Sequence, residues 1–162
     1  MKKTTKSFGQ RGEWYVVIQV ILFGVIFVSP FLLPGTVELS GPWRILAIIL
    51  GLALGLMGGL LGLAGVLSLG TNLTAVPHPK ENAELVESGA YKIVRHPIYS
   101  GLILGAFGWG FLNANLVTLL LSLVLFLFFD FKSRREEQWL CEKYADYPNY
   151  QRRVHKLIPL VY

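Results

Sequence analysis

Between Trp14 and Leu69 only Glu38 and Arg44 carry a charge, and between Pro97 and Phe129 no residue does. Such uncharged lengths leave a chain few places to fold. An ionised side chain at bilayer depth costs several kcal/mol, whereas a soluble domain scatters charge over its surface. The apolar run 14–33 has about 20 residues, the length of one span. Composition agrees: the 162-residue chain is 53% hydrophobic and only 15% charged, where a soluble domain carries about a quarter. One compact integral membrane domain fits this length.

The run 14–33 closes on Pro34 and Gly35. Lysines precede it, but it is too long for a signal peptide core and ends in SPFLLPG without a small-x-small cleavage site, so it is expected to be a retained helix. A second span covers 43–69. Within it Gly51, Gly55 and Gly59 recur at i, i+4, and Gly58 and Gly62 repeat that spacing one residue off. In lipid, small residues so spaced let helix backbones approach closely. A glycine-rich nucleotide loop would need polar surroundings that this segment lacks.

The run from Ile98 to Phe129 is too long for one span and too short for two generous ones. Asn113-Ala114-Asn115 interrupts it, and Asn favours turns. The pattern predicts two tightly joined helices, 97–112 and 116–131, each rising about 24 Å; one long interrupted helix is the alternative. FKSRREEQWLCEKY has strong helix formers and neither Gly nor Pro, so the last helix is expected to run on past the apolar stretch until Pro148 ends or kinks it. The expected fold is an all-α integral membrane protein of about four transmembrane helices.

All but Arg44 of the 15 lysines and arginines lie in the N-terminus, in the connection 70–96 or in the region 132–162. Positive-inside bias then puts both termini and both polar regions in the cytoplasm, with multi-pass localisation in the membrane. The same placement argues against nucleic acid as the reason for the net charge of +5, because the cations flank apolar segments rather than forming an aromatic-interleaved module. Asn72-Leu73-Thr74 has the form of a glycosylation acceptor but falls on the cytoplasmic side. Cys141 is the single cysteine, which excludes an internal disulfide and a multi-cysteine metal site. No His/Cys/carboxylate set stands at metal-ligand spacing, and no Gly-x-Ser-x-Gly or dinucleotide glycine pattern follows a strand. His78 in VPHPK belongs to a proline-rich loop, and His155 to a basic juxtamembrane stretch with Arg152, Arg153 and Lys156.

Two polar groups of residues are left at the edge of the oil. In YKIVRHPIYSG, Arg95, His96 and Tyr99 surround Pro97, which suits the first position of a helix. The first-turn N–H groups and the positive dipole end of such a helix suit a carboxylate or phosphate. The bland alternative is an interface anchor, with Arg95 and Tyr99 snorkelling toward headgroups. Further on stand Glu136 and Glu137. Surface pairs Lys132–Glu136 and Arg134–Glu137, at helical spacing, explain them without function; holding a positive centre or a diol is the functional alternative.

The stretch NLTAVPHPKENAELVESGAYKIVRHPIYSG, followed after a helical hairpin by REEQWLCEKYADYPNYQRRVHKLIP, resembles the isoprenylcysteine carboxyl methyltransferase family. Phospholipid N-methyltransferases share much of this pattern. The likeness covers residues 70–160, with the first two helices matching in topology only. It implies transfer of a methyl group from S-adenosylmethionine to a lipid or prenylated acceptor that enters from the bilayer. By motif position it implies a cofactor-binding set of Leu85, Val86, Tyr91, His96, Pro97 and Tyr99, with Glu136 holding the cofactor from the opposite side. Lys132 stands where the family often has a substrate-associated arginine, a departure that bears on acceptor identity.

On this reading Arg95 suits the cofactor's carboxylate and Tyr91, Tyr99, Tyr147 and Tyr150 offer faces to its sulfonium. The acceptor head is expected near Arg95 and Lys132, with Glu137 as the candidate general base. The segment 144–159 is expected to roof a cytoplasmic cofactor pocket formed with 70–96. Two rivals come from other classes: an NADPH-dependent membrane reductase and a non-catalytic membrane scaffold.

Overall fold

The computed structural model describes residues 11–159 and 161–162; the basic run within 1–10 lies outside them. The helices are α1 (Glu13–Leu32), α2 (Gly41–Leu69), α3 (Pro97–Leu112), α4 (Leu116–Lys143) and a short α5 (Tyr147–Arg153), with 3-10 turns at Gly70–Asn72 and Gly89–Lys92. Among the described residues, α1, α2 and α4 are long and apolar enough to cross a membrane, and α3 is a shorter apolar helix. The chain is thus an all-α integral, multi-pass membrane protein. The ends of α1, α2 and α3 fall within two residues of the expected ones. As expected, α4 runs on past the apolar stretch, but it stops at Lys143. Pro148 lies in the first turn of α5, where its missing N–H costs least, rather than ending a helix.

The hairpin turn divides its work between two asparagines. Asn115 Oδ1 accepts from the Thr118 backbone N–H at 2.9 Å, capping α4, and Asn113 Nδ2 donates to the Trp109 carbonyl at 2.8 Å. Between them Ala114 takes a left-handed φ of 46°. Each satisfies backbone groups that the helix ends leave open. Arg44, the lone cation of its region, donates to the Leu112 carbonyl at 3.0 Å, at the same C-terminal end of α3.

The close approach of α2 and α3 draws on both glycine recurrences, with Gly51 and Gly55 backing Gly108 and Gly58 and Gly62 backing Gly101. Gly51, Gly58 and Gly65 are the buried glycines of α2, seven residues apart, facing Gly108, Gly101 and Pro97. A Cβ on Gly58 would lie 2.5 Å from the Gly101 carbonyl oxygen, and one on Gly65 2.9 Å from Pro97 Cγ, whereas Gly55 and Gly59 have open space. The fully buried positions follow the seven-residue period because it keeps one seam of a straight helix against its neighbour, while a step of four drifts around it. Gly58→Ala is therefore expected to lower stability by about 1–3 kcal/mol through overpacking, with Gly59→Ala nearly neutral; thermal unfolding in detergent reads the difference.

Against α3 and α4 packs α1, around Ile26, Ile103, Ala106, Leu125 and Phe129. Its Ser29 hydroxyl bonds Thr118 of α4 at 2.7 Å, a buried pair that hydrocarbon would otherwise leave unsatisfied. Beyond α5 the chain turns back beside the start of α3. The Arg95 N–H donates to the His155 carbonyl at 2.8 Å and the His96 N–H to that of Lys156 at 3.1 Å. This C-terminal strap also receives Ser100, whose hydroxyl donates to the Leu157 carbonyl at 2.6 Å.

Candidate functional site

Pro97 opens α3 as expected and is buried. Its fixed φ starts the helix just where Arg95 and His96 leave the connection, so these two side chains are aimed by the helix mouth. On α4, Glu136 and Glu137 are adjacent and so point about 100° apart around the helix. That angle separates their partners.

Glu137 turns to the strap. Its Oε1 accepts from Arg95 Nε at 2.7 Å and lies 3.1 Å from His96 Nε2, while its Oε2 accepts from Gln151 Nε2 at 3.0 Å. An ionised carboxylate only accepts, so His96 carries a proton on Nε2. Arg95 Nη1 also donates to the carbonyls of Gln151 (3.1 Å) and Val154. Glu136 turns the other way, its Oε2 accepting from Tyr99 O–H at 2.6 Å. His96, Tyr99 and Phe129 form a continuous stack, with centroid spacings of 5.3 and 4.5 Å.

The structure gathers most of the expected site residues around one cavity of about 260 Å3. The connection contributes Leu85, Val86 and Tyr91, and the helix mouth Arg95, His96 and Tyr99. From α4 come Lys132 and Glu136, and from the C-terminal segment Tyr147 and Tyr150. Two expected residues do not line it. Pro97 packs against Gly65 instead, and Glu137 lies behind Arg95 and His96, bordering a separate basic cavity with Gln151 and Arg152.

Tyrosines form much of the roof. Burial pushes the Tyr91, Tyr147 and Tyr150 phenols above their ordinary pKa, reinforced by the Glu136 charge at Tyr91 and by Glu137 and Glu136 at Tyr147; at Tyr150 the Arg95 charge opposes the rise. All three therefore stay neutral donors at physiological pH. Tyr150 O–H donates to the Tyr91 carbonyl at 2.6 Å and Tyr144 O–H to that of Ala83 at 2.5 Å, fastening the C-terminal segment to the connection.

Sequence reasoning missed Gln19 in the cavity's lining, and it covered Asn72, Thr74 and Tyr144 only as members of the pocket-forming segments 70–96 and 144–159. Gln19 did carry a signal, being the one amide in the first apolar run, and a polar group within a span is functional by default. Neither expected surface pair on α4 forms. Arg134 pairs with Asp130 at 2.7 Å, and Lys132 Nζ donates to Gln19 Oε1 at 2.6 Å.

An apolar groove adjoins the cavity. It runs between α1 and α2 over α3, bordered by Phe23, Phe27, Leu63 and Val66, and it shares Ile98 and Leu102 with the cavity. Trp109, stacked on Phe27 at 5.5 Å, lies in its wall.

Comparison with known proteins follows the same outline. The family model described as phospholipid methyltransferase matches residues 46–147. The protein-S-isoprenylcysteine O-methyltransferase of Schizosaccharomyces pombe is 36% identical over 109 residues, covering 65% of this chain and 46% of its own length. The cobalt-zinc-cadmium resistance protein CzcN of Cupriavidus metallidurans is 30% identical over 149 residues, covering 91% of this chain and 62% of its own. Among solved structures, a eukaryotic intramembrane Ras methyltransferase, an isoprenylcysteine carboxyl methyltransferase, has the same fold, with TM-score 0.66 at 23% identity over 94% of this chain and 54% of that one. This chain therefore spans about half to three fifths of the length of these relatives.

Proposed function

Since this chain belongs to the phospholipid methyltransferase family, we propose that it is an S-adenosylmethionine-dependent membrane methyltransferase acting on a lipidic acceptor, in the manner of an isoprenylcysteine carboxyl O-methyltransferase. The observation that carries this reading is the meeting of Glu136, Lys132 and five tyrosines in one cavity that adjoins an apolar groove. One end of the site suits a charged, water-soluble cofactor and the other a hydrocarbon tail. A purely structural pocket has no need of both.

The donor set fits S-adenosylmethionine. Glu136 has one oxygen engaged by Tyr99 and its other, Oε1, without a hydrogen-bond partner among the described residues, a position suited to an ammonium or ribose hydroxyls. In the first turn of α3 Pro97 has no N–H and the Ser100 N–H donates to the His96 carbonyl, which leaves those of Ile98 and Tyr99 for a carboxylate, and the tyrosine faces suit a cation. Leu85 and Val86 supply apolar wall for a flat base. When bound, the cofactor supplies a methyl group on a positively charged sulfur, open to in-line attack.

The chain's own share is orientation and exclusion of water. Holding the acceptor head against the cofactor side of the cavity converts a bimolecular encounter into a near-attack arrangement, worth up to about 7–11 kcal/mol in favourable systems. Glu137 has three protein partners and lies off the cavity, so its role is to fix Arg95 and His96, and Arg95 in turn holds the strap that closes the roof. A carboxylate acceptor needs no general base at this site. The acceptor's tail would lie along the groove past Ile98 and Leu102, entering sideways from the bilayer, while the cofactor enters from the side on which the basic segments gather.

The test is incubation of purified protein with methyl-labelled S-adenosylmethionine and a total lipid extract, with mass analysis of whatever gains a methyl. A labelled lipid, together with a rise in melting temperature on adding S-adenosylmethionine, is the expected result. A rise with NADPH instead, and no labelled product, would mark a reductase. No labelled product and no stabilisation by either cofactor would mark a scaffold.

A further inference from the structure

Lys132 is only 2% exposed, and its ammonium lies 4.9 Å from the Tyr99 ring centroid and 5.7 Å from that of Phe129. A buried charge is costly unless it is held. Its one hydrogen-bond partner among the described residues is Gln19 Oε1, 113 positions away on α1. A neutral amide steadies the ammonium without cancelling its charge. An aspartate or glutamate at that place would have cancelled it.

The same bond orients the amide. With Oε1 turned to Lys132, the Gln19 N–H2 group faces elsewhere, and no described residue accepts from it. Gln19 and Lys132 both line the cavity. Lys132 has three donors and spends one on Gln19. The cavity thus has a negative station at Glu136, braced by Tyr99, and a positive one at Lys132, braced by Gln19.

We propose that Gln19 is a positioning residue, holding the Lys132 ammonium toward the cavity and completing with its own N–H2 a two-donor seat for an anionic acceptor head. The proposal rests on the reading of the cavity as a methyl-acceptor site. It concerns a residue of α1, outside the stretch that carried the sequence resemblance. The chemical class it selects is a carboxylate on an apolar tail, in preference to an amine on the same tail, which Lys132 would repel.

The experiment uses the full chain in lipid nanodiscs and two isosteric probes, a farnesylthioacetate and a farnesylthioethylamine. Calorimetry gives their affinities and that of S-adenosylmethionine. Turnover is followed with N-acetyl-S-farnesylcysteine. The wild type is expected to prefer the carboxylate probe. Gln19→Leu should reduce that preference about tenfold and raise KM for the acceptor, with the loss falling on KM rather than kcat and with cofactor affinity retained. Gln19→Glu, which keeps a partner for Lys132 and so guards against simple misfolding, should turn the preference toward the amine.

Equal weakening of both probes would overturn the proposal, as would no preference in the wild type. A loss of S-adenosylmethionine affinity in Gln19→Leu would overturn it too, because the seat would then serve the cofactor's carboxylate. A wild type that methylates lipid while the variants keep its preference overturns this inference alone. A Gln19-dependent preference in a protein that binds no S-adenosylmethionine supports this inference and overturns the methyltransferase reading.

Discussion

Glu136→Gln is expected to weaken S-adenosylmethionine binding by about tenfold to a hundredfold while leaving the protein folded. The carboxylate lines the cavity beside Tyr99 and His96, and a hydrogen bond to a charged partner is worth about 1.5–3 kcal/mol, or about one to two decades in Kd. Folding should survive because the glutamine keeps an oxygen for Tyr99 O–H. Calorimetry with wild type and variant reads the effect directly. Unchanged affinity, with His96→Ala also unchanged, would remove the cofactor from this cavity.

Arg95→Ala is expected to cost stability rather than affinity alone. The pair with Glu137 is 11% exposed on each side, and removing one partner of a buried pair costs about 3–5 kcal/mol because the other is left uncompensated. Arg95 also ties two carbonyls of the C-terminal segment, so its loss should free the strap and expose the connection to protease. The double variant Arg95→Met with Glu137→Gln should lose much less than the sum of the singles. Additive losses, measured by thermal unfolding in detergent, would show that the two residues act independently.

A good deal of this was legible in the residues. Asn113 and Asn115 marked the hairpin and Pro97 the start of α3, because turn and cap chemistry is local. The order of motifs from Leu85 to Pro159 carried the family. Glu136 and Glu137 could not be told apart, since their 100° separation acquires meaning only when α4 shows one side to Tyr99 and another to Arg95 and Gln151. Gln19 was passed over because its partner lies 113 positions away, beyond any spacing rule.

The glycines of α2 make the same point. Their recurrence predicted close helix contact, and the structure shows it, but spacing alone did not say which of them would be fully buried. In a soluble helix the apolar stripe would have marked the inward face. A helix apolar on every side erases that mark, and only the facing backbone of α3 selected Gly51, Gly58 and Gly65.

By itself, then, the sequence determined that the chain lies in a membrane, where its apolar helices begin, and which polar segments stand at their mouths. Those features follow from the cost of charge in hydrocarbon and from local backbone chemistry. The tertiary structure alone decided which helix faces meet, that Glu137 ties down the strap while Glu136 faces the cavity, and that α1 sends Gln19 to a lysine on α4. Such pairings depend on packing between segments distant in the chain, and no local pattern encodes them.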